Sequence, residues 1–347
     1  MTLQNLLGID LPIIQAPMAG AQASAMASAV SSAGGLGSLP CAMLNAEGMR
    51  NELTIIASQT NKPINVNFFC HAPPIIDAAR EAAWREKLAP FYTEFGIDPA
   101  TIPAGPGRAA FNDEMAEILE EFKPPVVSFH FGLPPDRLLE RVRKMGAKIF
   151  SSATTVAEAL WLEAKGVDAV IAQGLEAGGH RGIFLSEDLT TQVGTFALLP
   201  QIVRAVKIPV IAAGGIASAE GVRAAIEMGA TAAQIGTSYL LCPEATISNV
   251  HRAALKSNTA RHTALTNIFT GRPARGIMNR VMKSLGPINS AAPAFPLATS
   301  AIAPLRAKAE AQGSGDFSPL WSGQNASGCK EIGAAELTRE LGRLIVS

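Results

Sequence analysis

Neither sign of charge is in surplus in this chain: over 347 residues, Lys plus Arg number 29 and Asp plus Glu number 29. With no net field, and no run of five or more like charges, nothing in the sequence gathers nucleic acid or an anionic membrane. A small neutral or singly charged ligand is the expected partner. The four cysteines, Cys41, Cys70, Cys242 and Cys329, are widely spaced and form no C-x-x-C pair. No positively charged start leads into an apolar signal segment, so the expectation is a soluble, cytoplasmic protein with reduced thiols. Glycine, proline or charge interrupts every apolar run before the eighteen residues of a membrane span. Internal repeats and low-complexity tails are also missing.

What is present is a chain that is 48% hydrophobic and 17% charged, able to bury a large core. Short apolar runs recur, each ending in glycine, proline or polar residues and followed by a segment with helical spacing, the pattern of a parallel sheet. There are eight: Ile13–Pro17, Gly35–Leu39, Ile64–Phe69, Val126–Phe131, Lys148–Ser152, Ala169–Gln173, Pro209–Ala213 and Ala232–Gly236. Helical stretches lie between them, for example Ala23–Ala33, Pro135–Met145, Thr155–Lys165, Leu198–Val206 and Ser218–Met228. Eight such units predict an α/β fold, a (β/α)8 TIM barrel, which takes about 250 residues and leaves roughly a hundred to place. The surplus falls in two segments. An excursion at about 70–125 holds a helix-like stretch, Asp77–Phe95, and the turn-rich Ile102–Arg108; a cap over 242–319 includes the loop Pro287–Pro296. The barrel then occupies 1–241, and 320–347 return to it as a loop and the helix Gly333–Leu344.

Chemistry gathers where strands end. Directly after the sixth strand, Ala172–Ile183 reads A-Q-G-L-E-A-G-G-H-R-G-I. Its glycines, Gly174, Gly178, Gly179 and Gly182, let the backbone approach another molecule closely, and His180 faces that space. Glu176 and His180 are four apart, but the glycines between them argue against a helical metal pair, and no metal is expected. The seventh strand ends in Gly214 and Gly215, the eighth in Gly236 and Thr237. Peptide N–H groups at such turns bind phosphate, and the ends of strands seven and eight are a recurrent barrel site for it. Asn65 and Asn67 share one face of the third strand, and Asn67, nearer the carboxyl end, is the better ligand candidate. His130 shares a face with Ser128; Gln173 closes the sixth strand with an amide suited to the edge of a heterocycle. Met18, after the first strand, could lie against a flat ring, although a lone methionine is more often core filler.

The motifs I-I-Q-A-P-M-A-G, N-V-N-F-F, H-F-G-L-P, Q-G-L-E-A-G-G-H-R-G, A-A-G-G-I and Q-I-G-T occur in order from about residue 5 to 245. Together they resemble the nitronate monooxygenase family (formerly 2-nitropropane dioxygenases), specifically its bacterial class I type. The sequence W-S-G-Q at 321–324 resembles the family's late loop; between Ala245 and that loop the match thins, and the cap holds no tyrosine. The resemblance implies a barrel binding FMN non-covalently and oxidising alkyl nitronates by O2 to a carbonyl compound and nitrite, through a flavin semiquinone. It implies FMN contacts from Asn67, Gln173, Gly178, Gly179, Gly214 and Gly215, and from Gln234, Ile235, Gly236 and Thr237. His180 would be the catalytic histidine beside the flavin, with His130 and Met18 on the substrate side. The assembly, homodimer or monomer, stays open. A rival reading is an FMN-dependent NAD(P)H reductase acting on enoyl-acyl-carrier-protein or quinone, although no G-x-G-x-x-G follows a strand. A second rival is a flavin-free barrel for a phosphorylated metabolite.

Overall fold

A computed structural model describes residues 3–102 and 108–345. The Pro103–Gly107 part of the turn-rich motif lies outside them. Eleven strands are present among the described residues: β1 (Ile13–Gln15), β2 (Gly37–Pro40), β3 (Ile64–Phe69), β4 (Val126–His130), β5 (Lys148–Ala153), β6 (Ala169–Gln173), β7 (Gly179–His180), β8 (Val210–Ala213), β9 (Ala232–Ile235), β10 (Thr263–Thr266) and β11 (Ala274–Ile277). Eight of them pair in parallel in the order β1-β9-β8-β6-β5-β4-β3-β2, and a bridge between Ile14 and Leu36 joins β1 to β2. The sheet therefore closes on itself. This is the expected (β/α)8 barrel, with β8 and β9 as its seventh and eighth strands, and each expected strand overlaps an observed one.

Helix starts between the strands are fixed by side chains that accept the first orphan peptide N–H groups. Asn45 accepts from Gly48, Asp77 from Arg80, Asn112 from Met115, Thr155 from Glu158 and Ser218 from Gly221. Strand residues of one parity point outward, where Val66, Phe68, Val127, Phe129 and Val170 pack beneath the helices. The opposite parity fills the barrel, where Ile14, Leu36, Val126, Phe150, Ile171 and Ile211 meet. Because a strand alternates its side chains, the inward parity also delivers whatever lies at the top of the barrel.

The excursion and the cap share a core of their own. Trp84, Leu88, Phe91 and Tyr92 on helix Ala78–Glu94 pack with Ala298, Ile302, Leu305 and Phe317. The Tyr92 hydroxyl donates to the Ala301 carbonyl at 2.6 Å, inside helix Ala298–Ala311. Segments more than two hundred residues apart in sequence thus form one lid. The cap also contains strands the sequence reading did not anticipate. In an antiparallel sheet of order β10-β11-β7, Ala274 pairs with His180 and Arg275 with Gly179.

Candidate active site

Above the apolar filling, the inward residues at the carboxyl ends of the strands are polar or small. Asn67, His130, Ser152, Gln173 and Gln234 come from β3, β4, β5, β6 and β9 and line one cavity of about 450 Å³, of the size that holds a cofactor or drug-sized ligand. Met18, Gly178, Gly179, His180, Gly214, Gly215, Gly236 and Thr237 line it too. Ile235 is the exception among the residues expected to be catalytic or to contact FMN. Its side chain is buried with Ile13, Val222 and Tyr239 on the helix side of β9, because it has the opposite parity to Gln234.

The loop after β6 is held tightly. A Cβ on Gly174 would lie 1.8 Å from Thr195 Oγ1, and one on Gly178 would lie 2.5 Å from the Gly323 nitrogen, so neither position tolerates a side chain without movement. Arg181, wholly buried, donates to the carbonyls of Gly174 (2.6 Å) and Gln173 (2.7 Å) and to Gln192 Oε1 (3.0 Å). Gln173 reaches across the same loop: its Nε2 donates to the His180 carbonyl at 3.0 Å and its Oε1 accepts from Gly182 N at 2.7 Å. One N–H of this amide remains for a ligand.

His130 was expected to act on substrate, but both its ring nitrogens are engaged. Nε2 lies 3.1 Å from the His180 carbonyl and Nδ1 lies 3.0 Å from Ser152 Oγ. A carbonyl only accepts, so this network assigns the proton to Nε2 and makes Ser152 the donor to Nδ1. Burial pushes the His130 pKa down to about 4, against a bond to the His180 carbonyl that works the other way. The ring is neutral and holds the backbone of His180.

His180 stands within an aromatic box. Its ring centroid is 5.4 Å from that of Phe295, 5.6 Å from Trp321 and 6.0 Å from both Phe69 and Phe131. Nε2 is 2.9 Å from Thr270 Oγ1, and Nδ1 has no partner among the described residues. Burial, and then the positive charge of Arg108, hold its pKa well below the ordinary histidine value. Arg108 lines the cavity with its guanidinium 5.6 Å above the Phe295 ring, and no carboxylate pairs with it among the described residues. Arg272 lies 4.0 Å above Phe131, and its Nε is buried without a partner among the described residues. Thr270, Arg108 and Ser152 were not singled out from the sequence. Thr270 lies in a cap with no recognisable motif, and only the fold shows which way Arg108 points.

At the other end of the cavity, Gly214 (φ +117°) and Gly215 (φ +72°) turn the chain after β8. The late loop covers this turn: Gly323 N donates to Thr237 Oγ1 at 2.9 Å and Asn325 Nδ2 to the Gly215 carbonyl at 2.9 Å. Two amide oxygens of the cavity lining lack a donor. Gln234 Oε1 is buried without a partner among the described residues. Asn67 donates both amide hydrogens to Ser128, at 2.9 Å and 3.2 Å, which leaves its Oδ1 unpaired among the described residues. Met18 sits between the turn after β1 and Gly236, and its Sδ would be 3.5 Å from a Cβ there.

A family model described as nitronate monooxygenase matches residues 1–343. The chain belongs to the nitronate monooxygenase family. The match runs through the cap, beyond the stretch in which the quoted motifs are dense. A nitronate monooxygenase of Pseudomonas aeruginosa is 44% identical over 97% of this chain and 97% of its own. That of Paraburkholderia phytofirmans is 43% identical over 97% of this chain and 93% of its own. Among solved structures, a nitroalkane oxidase from Streptomyces ansochromogenes superposes with a TM-score of 0.88 at 38% identity, covering 98% of this chain and 97% of that one. FabK from Thermotoga maritima superposes with a TM-score of 0.69 at 26% identity, covering 98% and 94%. This member of the nitronate monooxygenase family is an oxidoreductase, and no helix among its described residues is long and apolar enough to cross a membrane.

Proposed function

We propose that the protein oxidises alkyl nitronates with O2 to a carbonyl compound and nitrite, using bound FMN. The observation that carries this reading is His180. It is a half-buried neutral imidazole whose Nδ1 has no partner among the described residues, and it lines one cavity with Arg108 and the strand-end amides.

The residues fit FMN. The orphaned Gln234 Oε1 and the free Asn67 Oδ1 are acceptors for a ligand that carries N–H or O–H groups, and the remaining Gln173 N–H is a donor. The glycine turns at Gly214, Gly215 and Gly236, with Thr237, supply peptide N–H groups for a phosphate. Gly178 and Gly179 allow close backbone approach, and Met18 offers a polarisable wall. When bound, FMN supplies the electron-transfer chemistry between nitronate and O2.

The rest falls to the chain itself. Arg108 attracts the anionic nitronate and holds it in a low-dielectric cavity where its charge is poorly screened. Neutral His180 presents a nitrogen lone pair that can take the α-proton of a neutral nitroalkane, giving the nitronate, or, once protonated, stabilise negative charge in the cavity. His130 and Gln173 fix the His180 backbone, so both are positioning residues in this reading. The aromatic box and the lid of helices Ala78–Glu94 and Ala298–Ala311 exclude water. Replacing His180 by Asn is expected to lower kcat/KM for a nitronate about 100-fold or more, in the usual range for a general acid–base group, while FMN content stays unchanged. Wild-type nitronate kinetics in this variant would remove His180 from the mechanism.

A further inference from the structure

We infer that Thr270, a cap residue, is the positioning residue that sets the tautomer of His180, holding the proton on Nε2 and leaving the Nδ1 lone pair to the cavity. The inference rests on the reading of His180 as the reactive histidine and adds how its reactive nitrogen is selected.

The Thr270 hydroxyl has one proton and two neighbours: His180 Nε2 at 2.9 Å and the Arg272 carbonyl at 3.4 Å. The carbonyl can only accept, so the hydroxyl proton goes to Arg272 and the Thr270 oxygen accepts from His180 Nε2–H. Thr270 is buried, so no bulk water offers an alternative partner. The backbone on both sides is fixed. His180 pairs with Ala274 through β7 and β11, Arg181 N donates to the Pro273 carbonyl at 2.9 Å, and the Arg272 guanidinium donates to the Ile183 carbonyl. The Thr270–Arg275 segment and the His180 segment are therefore stitched together at several points, and the threonine cannot drift from the ring.

The charged or titratable groups that face His180 are Arg108, Arg272, His130 and His71, all cationic or neutral. The two guanidinium groups cannot accept from Nε2; both His130 nitrogens bond elsewhere, His71 Nε2 lies on the Arg108 carbonyl, and no hydrogen bond joins either ring to His180 Nε2 among the described residues. The selection matters because Nδ1 and Nε2 lie on different edges of the ring. A flip of tautomer would present an N–H to the cavity instead of a lone pair and would leave the Thr270 oxygen facing another lone pair.

The test uses the FMN-loaded full chain with 15N-labelled histidine, wild type beside Thr270→Val and Thr270→Ser. The expected wild-type spectrum shows His180 with a protonated Nε2 and an unprotonated Nδ1. Thr270→Val, which removes the hydroxyl with little change of shape, is expected to give a mixture of tautomers. It should also lose about tenfold in kcat/KM for a nitronate, the worth of one hydrogen bond, and shift its pH profile at unchanged FMN content. Thr270→Ser is expected to restore both. A wild-type His180 protonated on Nδ1 would overturn the inference even if no variant folds, and so would a Thr270→Ser as impaired as Thr270→Val. The tautomer readout does not depend on the substrate, so a protein inactive on nitronates but carrying the expected tautomer would count against the function and not against Thr270.

Discussion

The site runs on a few side chains whose neighbours have been chosen to leave one valence open. Gln173 and Asn67 each give most of their hydrogen-bonding capacity to the protein and keep one group without a partner among the described residues, whereas His130 gives both ring nitrogens to the protein. Sequence reasoning found these residues because polar groups at strand ends cost free energy unless satisfied, a cost visible in the composition of a strand. It could not divide their roles. The two histidines look alike in sequence, and only the bonds from His130 to Ser152 and to the His180 carbonyl set it apart from His180, whose Nδ1 has no partner among the described residues. Arg108 escaped notice because a single arginine in a turn-rich segment is ordinary. It has no acidic partner among the described residues, and a half-buried cation without one is a candidate partner for an anion. Arg108→Met, which keeps the apolar contact with Phe295, is expected to raise KM for a nitronate at least tenfold, with a smaller effect on kcat. Steady-state kinetics at two ionic strengths check this, and an unchanged KM would show that the cation does not serve substrate.

Among the elements, the barrel strands were legible because each is an apolar run that ends abruptly in glycine or polar residues. β7 was not. A two-residue strand of Gly179 and His180 has no periodicity, and it is a strand only because β11, nearly a hundred residues later, supplies its partner. The cap strands β10 and β11 escaped for the same reason: their pairing is non-local and their sequences, T-A-L-T and A-R-G-I, are short. The glycines around them were legible as close approaches, though what approaches was not. At Gly178 it is the late loop, with Ser322 and Gly323 where a Cβ would be. Gly178→Ala must push that loop from the turn carrying Gly215 and Thr237. The expected outcome is a cost of about 1–3 kcal/mol, typical of overpacking, together with weakened FMN retention. Urea unfolding and the flavin-to-protein absorbance ratio after gel filtration report the two effects, and full retention of both would mean the late loop does not frame the site.

For the molecule as a whole, the lid joins an excursion after β3 to a cap after β9, so this layer is assembled from segments about two hundred residues apart in sequence. That assembly is a tertiary fact, invisible to local patterning, whereas the barrel beneath it repeats a local unit eight times. Burial of neutral histidines also gives the whole fold a pH dependence. His130 and His251 titrate near 4 in the folded chain, below the ordinary value of about 6.5, because burial disfavours their charged forms. Between those limits the unfolded chain binds more protons, so stability is full above about pH 6.5 and declines as pH falls towards 4. The urea midpoint is expected to be lower at about pH 5 than at about pH 7; an equal or higher midpoint would mean these rings are charged in the fold.

The central claim is that this cavity couples FMN to nitronates and not to a nicotinamide. The most direct measurement is O2 uptake and nitrite release by the purified protein, yellow with bound flavin, on addition of propionate 3-nitronate and, separately, of NADH or NADPH. Rapid O2 uptake with nitrite from the nitronate and no flavin bleaching by either nicotinamide is expected. Rapid bleaching by NADH with no nitrite from the nitronate would contradict it and place the protein with the reductases.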